Sequence, residues 1–432
     1  MSPATRPTNR ARNETMYDHR KYGRELGLFD SDPLIGAGLP YLPPAGAAIR
    51  HALESYVAEL ERRAGYQHVY SPVLGKRELY EISGHWSHYS DDMYPPMRVG
   101  EEEVVLRPSL CPHHALIYRS RAHSYRELPI RYAELGGMYR AELSGVLGGL
   151  SRVRAIQLND GHIFCTLDQV ADEAGGALDL ILRAYGDLGL SPSRFLLSLP
   201  AADARIGEPG SKYVGDQESW DRSADLLGSV LRDAGVEYEE APGEAAFYGP
   251  KIDIQLEDAA GREYTLSTIQ VDFHQPARFE LEYIGADGNK AGGNRLRPVM
   301  VHRAIIGSLE RVIAHLIEQH GGAFPAWLAP VQVVVLPLSD AEEAYAAEIA
   351  RRATDRGLRA EIAHADEGTL GARIRENRPA PYQVVVGPRE VAAGHLALRY
   401  RDGHQDDPAE AAAVLDGLMV ACRPATLQEN PR

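Results

Sequence analysis

The feature that most constrains the fold is a change of pattern at a proline-rich segment, PAWLAP, at residues 325–330. Beyond it, short valine-rich runs alternate with amphipathic helical stretches. This alternation indicates a small α/β domain whose sheet is covered on both faces. Before it, apolar runs separated by turn residues predict antiparallel hairpins with helices interspersed, which is an α+β pattern. Because 432 residues exceed the usual size of a single core, we expect two domains.

Composition narrows the class of protein. The net charge of −15 argues against broad, non-specific binding to DNA, although it leaves room for a local arginine-rich site. No apolar run has the length of a membrane span, and the polar N-terminal segment lacks the core of a signal peptide. Cys111, Cys165 and Cys422 are too few and too scattered for a disulfide framework, so each is a buried thiol or a ligand. We therefore expect a cytoplasmic enzyme that contacts no membrane.

The stretch 139–165 has the residue types of a nucleotide site. Arg140 and Glu142 are separated by one residue, so on a strand both side chains project to the same face. A guanidinium can bind a phosphate through two hydrogen bonds, and a carboxylate can accept one from an amine. An isolated Arg-x-Glu is more often a surface ion pair of little weight, and the pattern alone leaves both interpretations open.

Three further residues are candidate metal ligands. Cys111 opens a predicted helix, His162 lies in an Asp-Gly-His sequence, and His302 precedes another predicted helix. Three nitrogen and sulfur ligands with an open fourth position are typical of a zinc ion that binds substrate. However, the three residues are far apart in sequence, and with 16 histidines in the chain such a set can arise by chance. Spacing alone therefore also permits a buried cysteine thiol and two histidines that are hydrogen-bonded in the core.

Many motifs in consistent order, from about residue 17 to about residue 403, resemble the threonyl-tRNA synthetase family of class II aminoacyl-tRNA synthetases; they are DHRKYGRELGLF, SGHWSHY, SYRELPIRYAE, RAELSG, DGHIFC, AFYGPKIDI, TIQVDF, VMVHRAIIGSLER and AFPAWLAPVQV. The resemblance implies an antiparallel sheet flanked by helices, followed by a small α/β anticodon-binding domain. We therefore predict a disordered tail at 1–16, a catalytic domain at 17–325 and an anticodon-binding-like domain at 331–432.

The resemblance also implies roles for residues that bind ATP, with Mg²⁺ as a companion ion. Arg140 would hold the α-phosphate and the substrate carboxylate, while Glu142 would accept from the adenine amino group. Arg311 would stack on the adenine and reach towards the γ-phosphate, and Arg152 matches another phosphate-binding arginine. Cations at these places would stabilise the charge that develops when a carboxylate attacks the α-phosphorus.

The remaining roles concern the amino acid and the tRNA. The family's zinc ligands correspond to Cys111, His162 and His302, one zinc per chain, and this metal would take the amino and hydroxyl groups of threonine. The segment around Pro72 would lie at a homodimer interface. The other matching positions are Asp160, Tyr248 and Gln270 for the amino acid, Lys251 beside them, and His85 for transfer to the terminal ribose of tRNA.

Departures from the family pattern cluster in two places. Near the predicted zinc, Ser109 and Leu110 replace Met and Asn, Leu158 replaces Gln, and Leu266 lies in Thr-Leu-Ser where the family has Gln-Cys-Gly. We expect these changes to reshape the pocket wall while sparing the ATP arginines. In the C-terminal domain, residues 366–369 read Asp-Glu-Gly-Thr in place of Arg-Asn-Glu-Lys, which predicts weaker anticodon contacts.

Two functional hypotheses follow. The first is a threonine–tRNA ligase that starts where the family's catalytic domain starts and so lacks the N-terminal and editing domains; it would be an inhibitor-resistant second copy. The alternative is a repurposed paralogue that adenylates another amino acid for a small molecule or a carrier protein. A non-catalytic tRNA-binding protein is disfavoured by the intact arginines and the three zinc ligands.

Overall fold

Residues 18–286 and 294–428 are described by a computed structural model, and they form two units. The larger unit contains residues 31–40 and 54–312, and the smaller contains residues 18–30, 41–53 and 313–428, within those described ranges. The predicted disordered tail at 1–16 lies outside the described residues. None of the described helices has both the length and the apolar character that crossing a bilayer requires.

The larger unit is built around a mixed sheet. Its strands are β1 (Gln67–His68), β2 (Leu74–Lys76), β3 (Met97–Val99), β4 (Glu102–Leu106), β5 (Ile130–Tyr139), β6 (Ala155–Cys165), β7 (Arg194–Leu199), β8 (Glu239–Pro242), β9 (Lys251–Glu257), β10 (Glu263–Asp272), β11 (Tyr283–Ile284), β12 (Arg295–Leu296) and β13 (Val299–Ala304). Among the described strands, eight form one sheet in the order β1-β5-β6-β13-β10-β9-β7-β8. The six central strands are antiparallel, and one parallel strand pairs at each edge.

Helices of the larger unit cover this sheet because their apolar residues recur at helical spacing. The first nine helices of the described chain are α1 (His19–Glu25), α2 (Pro44–Arg63), α3 (Arg77–Ile82), α4 (His85–Tyr89), α5 (Cys111–Arg119), α6 (Val170–Leu188), α7 (Gln217–Asp233), α8 (His274–Arg278) and α9 (Leu309–His320), of which α1 belongs to the smaller unit. In α6, buried residues such as Ala174, Leu178 and Ile181 repeat every three or four positions, and the helix packs on β10 and β13. The predicted antiparallel sheet flanked by helices is confirmed.

The smaller unit contains a five-stranded sheet in the order β15-β14-β16-β17-β18 among the described residues. Two buried clusters, one around Ile349 and one around Leu336, include its strands and account for the predicted covered sheet. Its remaining elements are β14 (Val333–Pro337), α10 (Glu343–Thr354), β15 (Ala360–Ile362), α11 (Leu370–Glu376), β16 (Tyr382–Val386), α12 (Pro388–Ala393), β17 (His395–Tyr400), β18 (Ala409–Glu410), α13 (Ala411–Ala421) and α14 (Ala425–Gln428).

One local prediction was wrong. Arg140 and Glu142 do not lie on a strand, because β5 ends at Tyr139 and the chain turns away from the ladder after Arg140. Between β1 and β2, proline at position 72 has no amide to donate, and the pairing is interrupted there. Helix α5, which Cys111 opens as predicted, contains Pro112 in its first turn, where the missing amide costs no hydrogen bond.

A buried ion pair lies beneath the sheet of the larger unit. Glu61 of α2 and Arg303 of β13 are both fully buried, and their charged groups are 2.7 Å apart. Asn159 of β6 donates to Glu61 at 2.8 Å, and the Arg303 guanidinium lies 4.3 Å from the centre of the Tyr66 ring. Gly161 leaves the room for this guanidinium, because a Cβ there would be 2.3 Å from the Arg303 Cζ. Burial alone would raise the pKa of Glu61, but Arg303 holds that pKa below its ordinary value.

We predict that Glu61→Gln lowers the free energy of unfolding by about 3–5 kcal/mol, because Arg303 is then left buried without a counter-charge. Denaturant titration followed by tryptophan fluorescence measures the loss. The control is Asp355→Asn, which breaks an exposed ion pair with Arg351 and should change the unfolding free energy by less than about 0.5 kcal/mol. Equal effects of the two substitutions would contradict the prediction.

Candidate active site

A cavity of about 580 Å³ opens on one face of the eight-stranded sheet. Along β6, Ile156, Leu158, Asp160 and His162 alternate with residues of the opposite face, so all four line the cavity. Strands β10 and β13 also line the cavity, through residues that include Gln270 and His302. All twelve predicted site residues line this cavity: His85, Cys111, Arg140, Glu142, Arg152, Asp160, His162, Tyr248, Lys251, Gln270, His302 and Arg311.

Three of these residues form a group that can bind a metal. His162 and His302 lie directly opposite each other in the register of β6 and β13, and Cys111 is the first residue of α5. One ligand atom from each lies within 4.8 Å of the others, and all three residues are buried. This donor set fits zinc, which takes thiolate and imidazole ligands and keeps a fourth position open when it binds substrate.

Each histidine of the group has a polar partner. His302 Nε2 lies 2.9 Å from Asp272, whose other oxygen accepts from the backbone amides of His274 and Gln275. His162 Nδ1 lies 2.7 Å from His114 Nδ1, and His114 Nε2 lies 3.0 Å from Glu134. Such partners fix the ring orientation and the tautomer of a metal ligand.

Burial dominates the electrostatics of the group. It lowers the pKa of His162 well below its ordinary value, with the neighbouring His302 adding to the effect. His162 is therefore neutral, which is the form that coordinates a metal. Burial raises the pKa of the Cys111 thiol to about 12, while hydrogen bonds from Ser109 and Gln275 act in the opposite direction.

The predicted amino-acid residues surround the group. Tyr248 stacks on His302 with ring centres 5.1 Å apart, and its hydroxyl donates to Gln270. Asp160 is almost fully buried beside His162, and burial raises the pKa of its carboxyl. Lys251 forms an ion pair with Asp253. The cavity wall therefore contains a carboxylate, a phenol and an amide together with the metal group.

The predicted ATP residues line the same cavity. Arg311 donates to the carbonyl oxygens of Ser151 and Thr265, at 3.0 and 2.9 Å, and burial lowers its pKa. Glu142 and Arg152 are paired with each other at 2.8 Å. To contact a nucleotide, the two residues would have to break this ion pair. The sequence pattern did not indicate that they are paired with each other.

His85 lies beside Cys111. It begins helix α4, directly after Gly84, whose φ of 84° turns the chain into the helix. Burial lowers the pKa of His85 to about 3, so its ring is neutral. Ser83 and Ser109 flank the ring at 2.8 and 2.9 Å.

The departures from the family pattern fall into two groups. Ser109, Leu158 and Leu266 line the cavity. Leu266 does so through a bulge in β10, where the pairing with β9 shifts between Thr265 and Ser267. Leu110 is different: it is fully buried, and its methyl group lies over Gly136 of β5, so the expectation that it reshapes the pocket wall was wrong.

Sequence reasoning missed the residues that support the group. His114 follows Cys111 by three residues on one helix, and this spacing places both on the same face. Asp272 follows Gln270 by two residues on β10 and shares its face. Both spacings can be recognised in the sequence and place these residues on the same face as a predicted site residue. Glu134 had no such signal, because only the pairing of β5 with β6 brings it near.

Comparisons with known proteins agree with this geometry. Residues 94–320 match the tRNA synthetase class II core domain (G, H, P, S and T), and residues 332–418 match the anticodon binding domain. A threonine–tRNA ligase of Geobacillus sp. (strain WCH70) is 49% identical over 385 residues, which cover 88% of this chain and 58% of that protein. The chain thus spans little more than half the length of this curated relative.

Solved structures show the same likeness. A crystal structure described as the RNA binding domain of threonyl-tRNA synthetase from Cryptosporidium parvum Iowa II superposes with a TM-score of 0.88 at 34% identity, covering 95% of this chain and 100% of that one. A putative threonyl-tRNA synthetase from Aeropyrum pernix superposes with a TM-score of 0.80 at 27% identity, covering 94% and 96% of the two chains.

We predict that the purified protein contains about one zinc per chain, and that Cys111→Ala reduces the metal content to background because it removes the only thiolate of the group. Elemental analysis by mass spectrometry measures the content. Cys165→Ala is the matched control, since Cys165 is equally buried on β6 but lies outside the group, and it should retain the metal. Unchanged zinc in Cys111→Ala would refute the ligand set.

Proposed function

Since the chain belongs to the threonyl-tRNA synthetase family of class II synthetases, we propose that it activates threonine with ATP and transfers the threonyl group to tRNA in the cytoplasm. The observation that carries this proposal is that a cysteine–histidine–histidine group and three arginines line one cavity. The group is suited to an amino acid with a side-chain hydroxyl, and the arginines to a nucleoside triphosphate.

Activation joins the carboxylate of the amino acid to the α-phosphorus of ATP and releases pyrophosphate. Arg140 binds the α-phosphate and the attacking carboxylate, so it neutralises charge where the new bond forms. Arg311 stacks on the adenine and offers its remaining nitrogen to the γ-phosphate side. Arg152 contacts a phosphate and Glu142 takes the adenine amino group. ATP binds together with Mg²⁺.

Selection of threonine takes place at the metal group. Cys111, His162 and His302 would hold zinc, which would supply coordination positions for the amino and hydroxyl groups of threonine. Because a methyl group cannot act as a ligand, valine would be rejected. Asp160 accepts from the amino group, while Tyr248 and Gln270 fix its orientation from the opposite wall. Lys251 adds positive charge beside them.

Transfer uses His85. Its neutral ring lies beside the metal group, and its nitrogen accepts the proton of the terminal ribose hydroxyl as that oxygen attacks the carbonyl carbon of the adenylate. The bond from this carbon to the phosphate oxygen breaks, and AMP leaves. The smaller unit supplies the tRNA contact, because its residues 332–418 match the anticodon binding domain. We propose the domain limits 17–325 and 331–432 for the two functional parts.

The partner of one chain is a second copy of the same chain. The small sheet β2-β4-β3, which follows the Pro72 segment, leaves apolar side chains uncovered. Val99 is 63% exposed and Tyr70 is 88% exposed, while Leu74 and Met97 are each 41% exposed. Apolar groups gathered on one surface favour burial against a partner.

Leu158 and Leu266 favour the alternative proposal, that the chain adenylates another amino acid for a small molecule or a carrier protein. Leu158 replaces a glutamine of the family pattern and Leu266 replaces a cysteine, and both line the cavity. The same change in the wall, with the ATP arginines kept, also suits an inhibitor-resistant second copy. Such a copy would charge tRNA with threonine at inhibitor concentrations that stop an ordinary enzyme.

The deciding experiment is amino-acid-dependent exchange of pyrophosphate into ATP over a panel that includes threonine and serine, followed by charging of tRNA. We expect exchange with threonine, and a decrease of about 10²–10³-fold in Arg140→Gln, because that variant loses a charge on the transition state. Arg222→Gln, on the exposed face of α7, is the control and should retain full exchange.

The outcomes separate the proposals. Exchange with threonine and charged tRNA support the ligase. Exchange with another amino acid, without charging of tRNA, supports the repurposed paralogue. Absence of exchange with every amino acid would refute both.

For the dimer, we expect Val99→Glu to convert the protein into monomers, because it places a charge in the proposed apolar interface. Light scattering after gel filtration gives the mass. Val420→Glu is the control, since Val420 is 49% exposed on α13 of the smaller unit, and it should remain dimeric. A monomeric wild-type protein would contradict the proposed partner.

A further inference from the structure

A buried serine directly follows the extra residue of the bulge in β10. The pairing of β10 with β9 shifts between Thr265 and Ser267, so Leu266 is the extra residue. Thr265 and Leu266 line the cavity, whereas Ser267 is fully buried. Successive residues of this strand therefore serve the cavity wall and the core.

The hydroxyl group of Ser267 joins the bulge to two other elements of the larger unit. It donates its single proton to the carbonyl oxygen of Ile305, which follows β13. Its oxygen therefore accepts from the hydroxyl of Tyr185 on α6, which lies 2.8 Å away. All three residues are buried, so both hydrogen bonds are shielded from bulk water. The bulge is thus tied to α6 and to the turn after β13.

The turn after β13 leads into α9, the helix that carries Arg311. Gly307 in this turn has a φ of 59°, and a Cβ there would be 2.0 Å from the carbonyl oxygen of Leu266. The bulge and the turn therefore pack backbone against backbone, which glycine permits. Arg311, in the first turn of α9, donates to the carbonyl oxygen of Thr265 at 2.9 Å. The bulge thus fixes one nitrogen of this guanidinium.

We propose that Ser267 is a positioning residue that, together with Tyr185, fixes the bulge of β10 and thereby holds Arg311 in place for the adenine of ATP. This inference rests on the proposed function, from which it takes the contact of Arg311 with the nucleotide. Glycine, which the family pattern has at this position, carries no hydroxyl and makes neither bond. The chain therefore combines a changed wall residue, Leu266, with a serine that anchors the same strand.

Removal of the hydroxyl would loosen this arrangement. Ile305 and Tyr185 would each keep a buried polar atom without its present partner, which is unfavourable. The bulge could then shift against the turn, because the ladder does not hold the extra residue of a bulge. Arg311 would retain its hydrogen bond to the Ser151 carbonyl oxygen but would no longer meet the Thr265 carbonyl in one fixed place.

Binding of ATP with Mg²⁺ to the full chain, measured by isothermal titration calorimetry, tests the proposal without turnover. Ser267→Ala should weaken binding about 3–10-fold, because the residue that stacks on the adenine is held less firmly. Ser223→Ala is the matched control. Ser223 is also buried, and its hydroxyl donates to the Ser219 carbonyl oxygen within α7, so the affinity should change less than about twofold.

A double variant shows whether the serine acts through the arginine. If it does, Ser267→Ala should weaken ATP binding less than about twofold further when Arg311 is already alanine. In the pyrophosphate exchange assay, Ser267→Ala should raise the KM for ATP while kcat changes less than about twofold, as loss of uniform substrate binding does. A serine with a purely structural role would lower the free energy of unfolding and leave these quantities unchanged.

Tyr185→Phe is the second variant, and it decides the question if Ser267→Ala does not fold. It keeps the aromatic ring and the hydrogen bond from Ser267 to Ile305, but it removes the donor to the serine oxygen. ATP binding should weaken about 2–5-fold.

Unchanged affinity for ATP in both Ser267→Ala and Tyr185→Phe would overturn the proposal. Full additivity of Ser267→Ala with Arg311→Ala would overturn it as well. The failure of the proposed function has a different signature, because a wild-type protein that binds ATP but charges no tRNA would refute the ligase while calorimetry still decides the role of Ser267. A wild-type protein that binds no ATP would overturn both.

Discussion

The ion pair between Glu61 and Arg303 links helix α2 to β13, one of the strands that line the candidate active site. Both charges are fully buried, so each depends on the other, and a buried pair is stable only when further polar groups satisfy it. Asn159 supplies one of these contacts to Glu61, and its carbonyl oxygen faces the amides of Ile305 and Ile306. The pair therefore connects a helix with two central strands.

Successive side chains of a strand point to opposite faces of the sheet. Residues that line the cavity and residues that form the buried ion pair are therefore neighbours in sequence. On β13, His302 faces the cavity, and its neighbour Arg303 faces the ion pair. On β6, Asp160 and His162 line the cavity, while Asn159 and Gly161 face Glu61 and Arg303. A change of register by one residue would exchange the two faces, so the buried pair also specifies which side chains reach the substrate.

Much of the fold could be predicted from sequence, because its signals are local. Helix α6 ends at Leu188 and is capped by Gly189, whose φ of 68° suits glycine. The hairpin of β9 and β10 has its turn at Asp258 and Gly261, which are residue types that favour turns. The supporting residues of the site were harder. Glu134 of β5 contacts His114 of α5 across 20 residues of sequence, and Ser109 contacts His85 across 24. Leu110 was wrongly predicted to line the pocket because it is next to Cys111 in sequence. Its side chain packs over Gly136 of β5 instead.

The bulge in β10 has a consequence for how the pocket can vary. Two successive residues, Thr265 and Leu266, both border the cavity there, while Ser267 is buried and bonds to Tyr185 of α6. Because the strand already takes up one extra residue at this point, loss of a residue could be absorbed by regular pairing without moving Gln270 opposite His302. The substrate wall can thus change by insertion or deletion as well as by substitution, and related chains that differ in length at this position would be expected to differ in what they accept.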